Sequence, residues 1–302
     1  MRKTVFSIIS LLGFAVLQAQ NDSIYIHAVV ESDLKTIHVT QRFNYKNLMS
    51  HEISEIKLLN WIAAYQNDNT PLSRRKLEDR KRELYFAKQA SLGKLNNIEI
   101  NSNPYQGNLT DENLFVPLHE PLQSGEEKEI RLQYTIQLPQ DIYTGYGYQD
   151  MKALLKYFFI VPDGFEAINH FNKYYVDIEE TQSGGKKWKV DFTLPEAYQV
   201  QSNLAKINSN SFSGYLTTDP EFYISLITNE ELNFNVEGQN INLQFGYPLT
   251  HDEKSYLEFY LPLQLQFLKK KIGNLPDKLF FSQKFKNKND FFGNDDIKFW
   301  KF

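Results

Sequence analysis

The chain has 302 residues, which is enough for two domains of ordinary size or for one large β domain with an addition. It contains no cysteine, so disulfide frameworks, thiolate zinc sites, iron–sulfur clusters and cysteine nucleophiles are excluded, and a metal would need histidine and carboxylate ligands. Its 33 Lys and Arg against 37 Asp and Glu give a net charge of −4, which leaves no basic excess to attract nucleic acid. No nucleic-acid partner is therefore expected.

The amino terminus has the three-part pattern of a secretory signal peptide. Arg2 and Lys3 precede an apolar run over residues 5–17, and the small residue Ala19 stands where a signal peptidase would cut. The run is too short to span a bilayer comfortably, since a transmembrane helix needs about 20 apolar residues. We predict a signal peptide over residues 1–19, export to the periplasm or the extracellular space, and no transmembrane segment after its removal. A retained membrane anchor is the alternative.

Short β-type runs separated by polar turns dominate most of the remaining chain. Residues 24–30 and 36–43 have the branched and aromatic content of two neighbouring strands. Residues 128–138 alternate most clearly, with Ile130, Leu132 and every second residue after them on one face. One side of this strand should therefore face a core and the other side water. Further strands are predicted over residues 53–59, 98–100, 156–161, 174–178, 187–194, 212–217, 221–227 and 241–245.

Two segments break the β pattern. Residues 72–92 are charged and helix-favouring after a start signal at Thr70-Pro71, and they predict an exposed helix inserted in the sheet domain. Residues 252–272 carry leucines at spacings of three and four and predict a second helix, which Pro262 should kink or divide. A strand-like run follows at residues 279–281.

The elements together predict a mainly β fold. Residues 20–249 would form an antiparallel β-sandwich-like domain with one inserted helix, and residues 250–302 the short α/β start of a second domain. A helix and one strand have too little partner surface to bury their apolar faces alone. The last segment is therefore expected either to fold back onto the sheet domain or to be the first piece of a further domain.

The sequence contains no recognisable complete active site. The histidines lack the spacing of an H-E-x-x-H zinc helix, and the nearest stretch, His51-Glu52 with Glu55, has no second histidine. His27 and His38 on neighbouring strands could meet, but no third ligand is indicated, so a pair on the sheet surface is the simpler interpretation. The sequence also lacks the serine-hydrolase elbow, the phosphate-binding loop and the dinucleotide fingerprint. We assign no catalytic and no metal-binding residue.

One loop has the composition of a binding site. It interleaves tyrosines with glycines at Tyr143, Gly145, Tyr146, Gly147 and Tyr148. Tyrosines on such a loop could stack on a sugar or hold a peptide, because each ring offers a flat apolar face and a hydroxyl. The alternative is that the rings pack onto the sheet. The three tyrosines are the candidate binding residues for a glycan or a peptide.

Two stretches of the sequence resemble one protein family. Residues 58–65 read Leu-Leu-Asn-Trp-Ile-Ala-Ala-Tyr and are followed by Thr-Pro-Leu at residues 70–72 and the basic helix. This segment is similar to the amino-terminal β domain of aminopeptidase N-like zinc metallopeptidases, especially exported versions from Bacteroidetes-type bacteria. Residues 114–118 (Leu-Phe-Val-Pro-Leu) and 121–126, ahead of the alternating strand, resemble the run that the same family has before a long strand.

The end of the chain resembles a later part of the same family. Residues 257–272, with Gly-Asn-Leu-Pro at residues 273–276 and the strand after them, are similar to the opening of the family's thermolysin-like catalytic domain. The family's zinc helix with H-E-x-x-H, its later glutamate ligand and its Gly-x-Met-Glu-Asn loop come after this point, and the sequence contains none of them. The resemblance therefore transfers no catalytic residue to this chain.

The resemblance implies zinc-dependent aminopeptidase activity, that is, peptide hydrolysis, for the complete family domain only. Zinc is accordingly not expected in this chain, and a downstream catalytic domain or a peptide is the expected partner. We predict a non-catalytic amino-terminal portion of an exported metallopeptidase-like protein, truncated before the zinc site.

Two other functions stay open. One is a free-standing envelope β-sandwich that binds a glycan or a peptide through the tyrosine loop. The other is an unrecognised hydrolase assembled from scattered carboxylates, for which loss of turnover on mutating one specific acid would be the evidence.

Overall fold

The computed structural model describes residues 23–149, 151–163, 185–226, 230–245 and 248–281. The predicted signal peptide and the strand predicted over residues 174–178 lie outside these ranges. In the described residues the fold is mainly β, as predicted. No helix among them is long and apolar enough to cross a membrane.

The elements follow one another along the chain in this order: β1 (Ser23–Val30), β2 (Thr36–Lys46), β3 (Ile53–Leu59), α1 (Pro71–Glu78), β4 (Lys94–Ile100), β5 (Asn103–Pro104), β6 (Asn113–Leu122), β7 (Glu127–Gln137), β8 (Gly147–Gln149), β9 (Lys152–Leu155), β10 (Val161–Pro162), β11 (Lys186–Thr193), β12 (Tyr198–Ser202), β13 (Ala205–Asn208), β14 (Ser211–Leu216), β15 (Phe222–Leu226), β16 (Glu231–Val236), β17 (Gln239–Phe245), α2 (His251–Ile272) and β18 (Lys278–Phe281).

The strands form one large sheet and three small ones. The large sheet has eight strands in the order β13-β14-β11-β1-β2-β7-β4-β5. The small sheets are β10-β3-β6, β12-β15-β9-β8 and β16-β17-β18. Most neighbours are antiparallel, while β1 with β11 and β17 with β18 are parallel. Buried side chains of the first three sheets belong to one hydrophobic core, as in a sandwich of packed sheets.

The strongest strand predictions are confirmed. β1 and β2 pair as antiparallel neighbours, and β2 pairs with β7 over its whole length, from Thr36 opposite Gln137 to Lys46 opposite Glu127. From Ile130 onward every second residue of β7 is buried, and the residues between are exposed or half-buried. The alternation of the sequence thus places one face of the large sheet on the core.

The prediction of a strand over residues 156–161 is wrong. The strand in this part of the chain lies earlier, at β9, and the residues after it are irregular until the two-residue β10. Tyr157 has a φ of +64°, a left-handed conformation that interrupts an extended strand. The apolar run continues because residues 157–160 cross the core, where all four side chains are buried. A continuous apolar run does not by itself distinguish a strand from such a buried crossing.

The first predicted helix is much shorter than expected, because α1 ends at Glu78 rather than near residue 92. Thr70 caps it by accepting a hydrogen bond from the Ser73 N–H at 3.1 Å, and Arg75 forms the helix-spaced ion pairs with Glu78 and Asp79, each at 3.7 Å. Arg80 then takes a left-handed φ of +63° and ends the helix. Propensity alone could not continue it, since a helix this exposed has little packing to stabilise it.

The second predicted helix is confirmed as α2. A capping box between Thr250 and Glu253 starts it, and Gly273, with a φ of +85°, ends it. Pro262 does not divide it, although proline removes one backbone hydrogen bond. Leu257 and Leu265, on either side of the proline, are both buried in the same apolar cluster, and this packing holds the two halves as one helix.

α2 has a core of its own, which the sequence analysis did not anticipate. Its buried leucines pack with side chains of β16 and β17 that lie before residue 249. β17 and β18 are parallel neighbours, and α2 is the crossover that parallel pairing requires. The missing partner surface is therefore supplied by two strands that lie within residues 20–249, the larger predicted domain. The domain limits at residues 19 and 249 stay predictions.

A buried polar triangle joins the large sheet to the irregular crossing. The Tyr134 hydroxyl donates to Gln41 Oε1 at 2.6 Å and accepts from the Ile160 N–H at 3.1 Å. The Gln41 amide donates to the Ile160 carbonyl at 2.5 Å. Burial raises the pKa of Tyr134, so its hydroxyl keeps its proton and stays a donor. Both backbone groups of Ile160 thus find a partner on the sheet.

Removing the hydroxyl at Tyr134 should destabilise the protein. Tyr134→Phe leaves Gln41 Oε1 and the Ile160 N–H buried without this partner, which costs about 1–3 kcal/mol. Urea unfolding of variant and wild type measures the change. Tyr215→Phe, at a tyrosine that is 67% exposed, is the control and should change the free energy of unfolding by less than about 0.5 kcal/mol. Equal stabilities of the two variants would contradict the role of the triangle.

Candidate functional site

The three candidate tyrosines lie at one end of the four-stranded sheet, and all three are buried. Tyr143 ends a short 3₁₀ helix (Asp141–Tyr143), and its hydroxyl lies 2.6 Å from Ser91 Oγ. Tyr148 belongs to β8, and the Lys35 ammonium lies 4.7 Å from its ring centroid. The rings are thus packed against the protein, which was the alternative considered for this loop. A role for them in ligand binding stays a prediction.

Tyr146 belongs to a polar cluster whose other members come from distant parts of the sequence. Leu155 at the end of β9 is paired with Phe222 at the start of β15, so the next residue outward on each strand, Lys156 and Glu221, is brought together. The Lys156 ammonium lies 2.5 Å from Glu221 Oε1. The Tyr146 hydroxyl lies 3.5 Å from both groups.

The charges of this cluster are fixed in one state. Burial of the Lys156 ammonium opposes its charge, but the hydrogen bond and the charge of Glu221 outweigh burial, so the pKa of Lys156 is raised above its ordinary value. Burial, aided by the charge of Glu221, raises the pKa of Tyr146. Lysine therefore stays protonated and tyrosine stays neutral near neutral pH.

Such a cluster is unsuited to nucleophilic or general-base chemistry. A lysine nucleophile needs a lowered pKa, and a tyrosine base needs its phenolate form. Here both pKa values move the other way. The arrangement instead fastens β8, β9 and β15 together at one end of their sheet.

Tyr146→Phe should reduce the decrease in the free energy of unfolding that occurs as the pH rises above about 9. Because the pKa of Tyr146 lies above its ordinary value of 10.0 in the folded chain, the unfolded chain loses this proton first as the pH rises past 10.0. The folded wild type is then destabilised relative to the unfolded chain, and the variant is not. The free energy of unfolding of the variant minus that of the wild type should rise by about 1 kcal/mol between roughly pH 9 and pH 11.

Urea unfolding at three pH values across that interval measures this difference. The exposed Tyr215→Phe control should show no such trend. Parallel stability curves for Tyr146→Phe and wild type would mean that this phenol is not kept neutral by the fold.

A polar groove of about 570 Å³ crosses the outer face of the large sheet. Strand register aligns one row of its side chains, since Tyr25 is paired with Lys189 on one side and Arg42 on the other, and Arg42 is paired with Arg131. The Arg42 guanidinium lies 4.6 Å and the Lys189 ammonium 5.7 Å from the centroid of the Tyr25 ring. Three cations and one aromatic ring thus form a line across four strands, here named the cation row.

The cation row includes an unfavourable pair. Arg42 and Arg131 stand directly opposite each other, an arrangement that destabilises a sheet when both charges are alike. The charge of Arg131 is balanced by that of Glu129, whose Oε1 lies 2.5 Å from Arg131 Nε. This hydrogen bond is the main reason that the pKa of Glu129 is lowered. Arg42 lies against the Tyr25 ring. Its charge remains accessible at the sheet surface.

The histidines on the first two strands do not face each other. His27 is paired with Thr40 and Asp191, whereas His38 has its own partners, Thr135 at 3.1 Å from Nδ1 and Glu31 at 2.6 Å from Nε2. Within the described ranges, no group of three or more His, Asp and Glu side chains could hold a metal ion. These residues therefore do not fit a zinc site.

Sequence reasoning missed both the cation row and the Lys156 cluster. Alternation does place Tyr25, Arg42 and Arg131 on the outward faces of their strands. It does not say which residue of one strand lies opposite which residue of the next. Lys156 and Glu221 are 65 residues apart, and only the pairing of β9 with β15 brings them together.

Comparison with known proteins gives matches to solved structures. An aminopeptidase N family protein from Idiomarina loihiensis has 12% sequence identity and a TM-score of 0.49, and the match covers 85% of this chain and 38% of that one. An M1 zinc metallopeptidase from Deinococcus radiodurans has 12% identity and a TM-score of 0.49, with 86% of this chain and 55% of that one covered. No family model and no curated protein matches the chain.

These structural neighbours are members of the family that the sequence resembles, as predicted. The chain spans 38% and 55% of their lengths, that is, about half or less. With 12% identity and TM-scores of 0.49, no activity and no residue role is taken from this likeness.

Proposed function

We propose that this chain is a non-catalytic, β-rich portion of an exported metallopeptidase-like protein and does not hydrolyse peptides by itself. The observation that carries the proposal is the position of the residues that resemble the family. Residues 58–65 are all buried and join elements of the fold, and a structural segment is what a non-catalytic portion would share with its family.

Asn60 shows this role most directly. Its side chain is buried, and its amide donates to the carbonyls of Leu109 and Asp111, both at 3.1 Å. Its own N–H donates to the Glu112 carbonyl at 2.9 Å. Asn60 therefore ties the end of β3 to the loop before β6, and these hydrogen bonds account for an asparagine at this position.

The residues after Asn60 form a buried junction. Trp61–Tyr65 is a short 3₁₀ helix whose five side chains are all buried. The Gly93 N–H donates to the Tyr65 carbonyl at 3.1 Å, and a Cβ on Gly93 would lie only 2.9 Å from Tyr65 Cβ, so glycine is required there. Thr70 donates to the Ala64 carbonyl at 2.7 Å while it caps α1. The motif thus connects β3, α1 and β4.

In this proposal the zinc and the catalytic residues belong to a partner catalytic domain, and the chain contributes the sheet scaffold beside it. Export through the amino-terminal signal peptide is part of the same proposal. It rests on the sequence pattern of residues 1–19.

The proposal is tested on the chain purified after export from a bacterial host. Zinc is measured after incubation with excess zinc and dialysis, and hydrolysis is measured with amino-acyl and short-peptide reporters. We expect far less than one zinc per chain and no turnover that a chelator abolishes, because the described residues lack a zinc ligand set. A complete family peptidase in the same assay is the positive control. Stoichiometric zinc together with chelator-sensitive hydrolysis would overturn the proposal.

A binding module is the second candidate, and the cation row favours an acidic glycan as its ligand. Lys189, Arg42 and Arg131 lie in one line across an open groove that the carboxylates of Glu99 and Asp191 also line, and Arg42 is exposed. Carboxylates spaced along an acidic sugar chain could accept charge-assisted hydrogen bonds from them.

Calorimetry with an acidic oligosaccharide, an oligogalacturonate, tests this candidate. Binding should weaken roughly tenfold in Arg42→Ala, since one charge-assisted contact is lost. Lys206→Ala, on the exposed strand β13, is the matched control and should bind as the wild type does. Equal affinity for a neutral oligosaccharide, or no effect of Arg42→Ala, would exclude the cation row as the site.

A further inference from the structure

A short loop after α1 combines clustered positive charge with exposed aromatic rings. It comprises residues 80–88, here named the basic loop, and its single acidic residue is Glu83, so it carries a net charge of +3 in a chain whose net charge is −4. Tyr85 and Phe86 within it are 41% and 70% exposed. The four cations of the loop are exposed as well, namely Arg80, Lys81, Arg82 and Lys88.

The folded loop holds its two aromatic side chains at the surface. Leu84 is buried in the large hydrophobic core, and Ala87 packs against that core. The Phe86 N–H donates to the Arg82 carbonyl at 3.1 Å, and the Ala87 N–H donates to the Leu84 carbonyl at 3.2 Å. The residues on both sides of Tyr85 and Phe86 are thus fixed to the protein, so exposure of the two rings is a property of the folded chain.

The two rings form one apolar group beside the charges. Their centroids lie 5.0 Å apart in an edge-to-face arrangement, with an angle of 86° between the ring planes. Aromatic side chains gain free energy when they leave water, so a surface that covers this pair would bind it. Aromatic rings next to lysines and arginines are typical of proteins that lie at the surface of an anionic bilayer, where the rings enter the headgroup region and the cations attract the lipid charge.

We propose that the basic loop binds an anionic lipid surface, with Tyr85 and Phe86 inserted among the headgroups and the surrounding cations against the lipid phosphates. Charge complementarity selects this occupant. A neutral surface would cover the rings but offer the cations no counter-charge. A hydrophilic polyanion would pair with the cations but leave the rings in water. An anionic bilayer satisfies both parts of the loop.

The acidic residues near the loop do not cancel its field. Glu78 and Asp79, just before it, form ion pairs with Arg75, each at 3.7 Å. More distant acidic residues are screened, because charges at the surface interact over only about 8–10 Å at physiological ionic strength. Glu83 lies inside the loop and opposes binding, so Glu83→Gln should strengthen it roughly fivefold.

Co-sedimentation of the purified chain with lipid vesicles tests the proposal. We expect binding to vesicles of phosphatidylglycerol and phosphatidylcholine in equal amounts, and roughly 100-fold weaker binding to phosphatidylcholine alone. Phe86→Ala should weaken binding to the anionic vesicles roughly tenfold, because the apolar contact is lost. Tyr215→Ala is the matched control, since it removes a ring that is 67% exposed on β14, and it should bind as the wild type does.

A pair of charge variants tests the role of the cations. Lys81→Gln/Arg82→Gln should weaken binding roughly 25-fold, about fivefold for each charge removed. Lys187→Gln/Lys206→Gln removes two exposed charges from β11 and β13 and should change the affinity by less than about twofold. Both double variants have the same net charge, so a difference between them reports the position of the charges. Circular dichroism confirms that each variant is folded.

Insertion of the ring can be measured directly, because the chain has no native cysteine. Phe86→Cys labelled with an environment-sensitive fluorophore should brighten when anionic vesicles are added, and lipids that carry a quencher on the acyl chain should reduce this signal. The label replaces one apolar group by another, so binding is retained. Tyr215→Cys with the same label should show neither effect.

Three results would overturn the proposal. A chain that does not bind anionic vesicles at low salt lacks the site. Vesicle binding that Phe86→Ala and Lys81→Gln/Arg82→Gln leave unchanged would be made through another surface. Binding to soluble poly-glutamate but not to vesicles would assign the loop to an acidic macromolecule. None of these results depends on zinc or on peptide hydrolysis, so the lipid contact and the proposed function are tested separately.

Discussion

The fold depends on the hydrogen-bond triangle of Gln41, Tyr134 and Ile160. It lies where the central pair of strands, β2 and β7, meets a chain segment that has left every sheet. Such a segment can cross an apolar core only if its backbone groups find partners, since an unpaired buried amide is costly. A phenol and an amide supply them here, and the crossing then leads into β10, which pairs with β3 in a second sheet. The polar contact thus holds two packed sheets in one arrangement.

Some charged groups form structural contacts, and others stay accessible at the surface. The Lys156 and Glu221 pair has a structural role, because its geometry stabilises the charged lysine and the neutral tyrosine beside it. The cation row is different, since Arg42 and Arg131 face each other, and Glu129 forms an ion pair with Arg131. A fold gains no stability from like charges in register. A surface available for recognition is therefore the outer face of the large sheet.

Some elements could be predicted from the sequence and others could not. The predictions of β7 and α2 are confirmed because each element has a long periodic pattern with buried apolar positions. The helix at residues 72–92 was overextended because its charged residues favour a helix without providing packing, and Arg80 ends it. The run at residues 156–161 was misread because a buried crossing and a buried strand have the same composition. The tyrosine loop was recognised as unusual, but burial of its rings depends on neighbours far away in the sequence.

The sequence by itself determined the mainly β class, the inward face of β7, the limits of α2 and the resemblance to a metallopeptidase family. These properties follow from local periodicity and from short motifs, which need no knowledge of distant residues. Only the tertiary structure decided that Asn60 and Tyr65 are structural, that Tyr25, Arg42 and Lys189 form one row, and that β16 and β17 complete the core of α2. Each of these depends on which strands become neighbours and in which register. Register is set by packing of the whole chain rather than by any one segment.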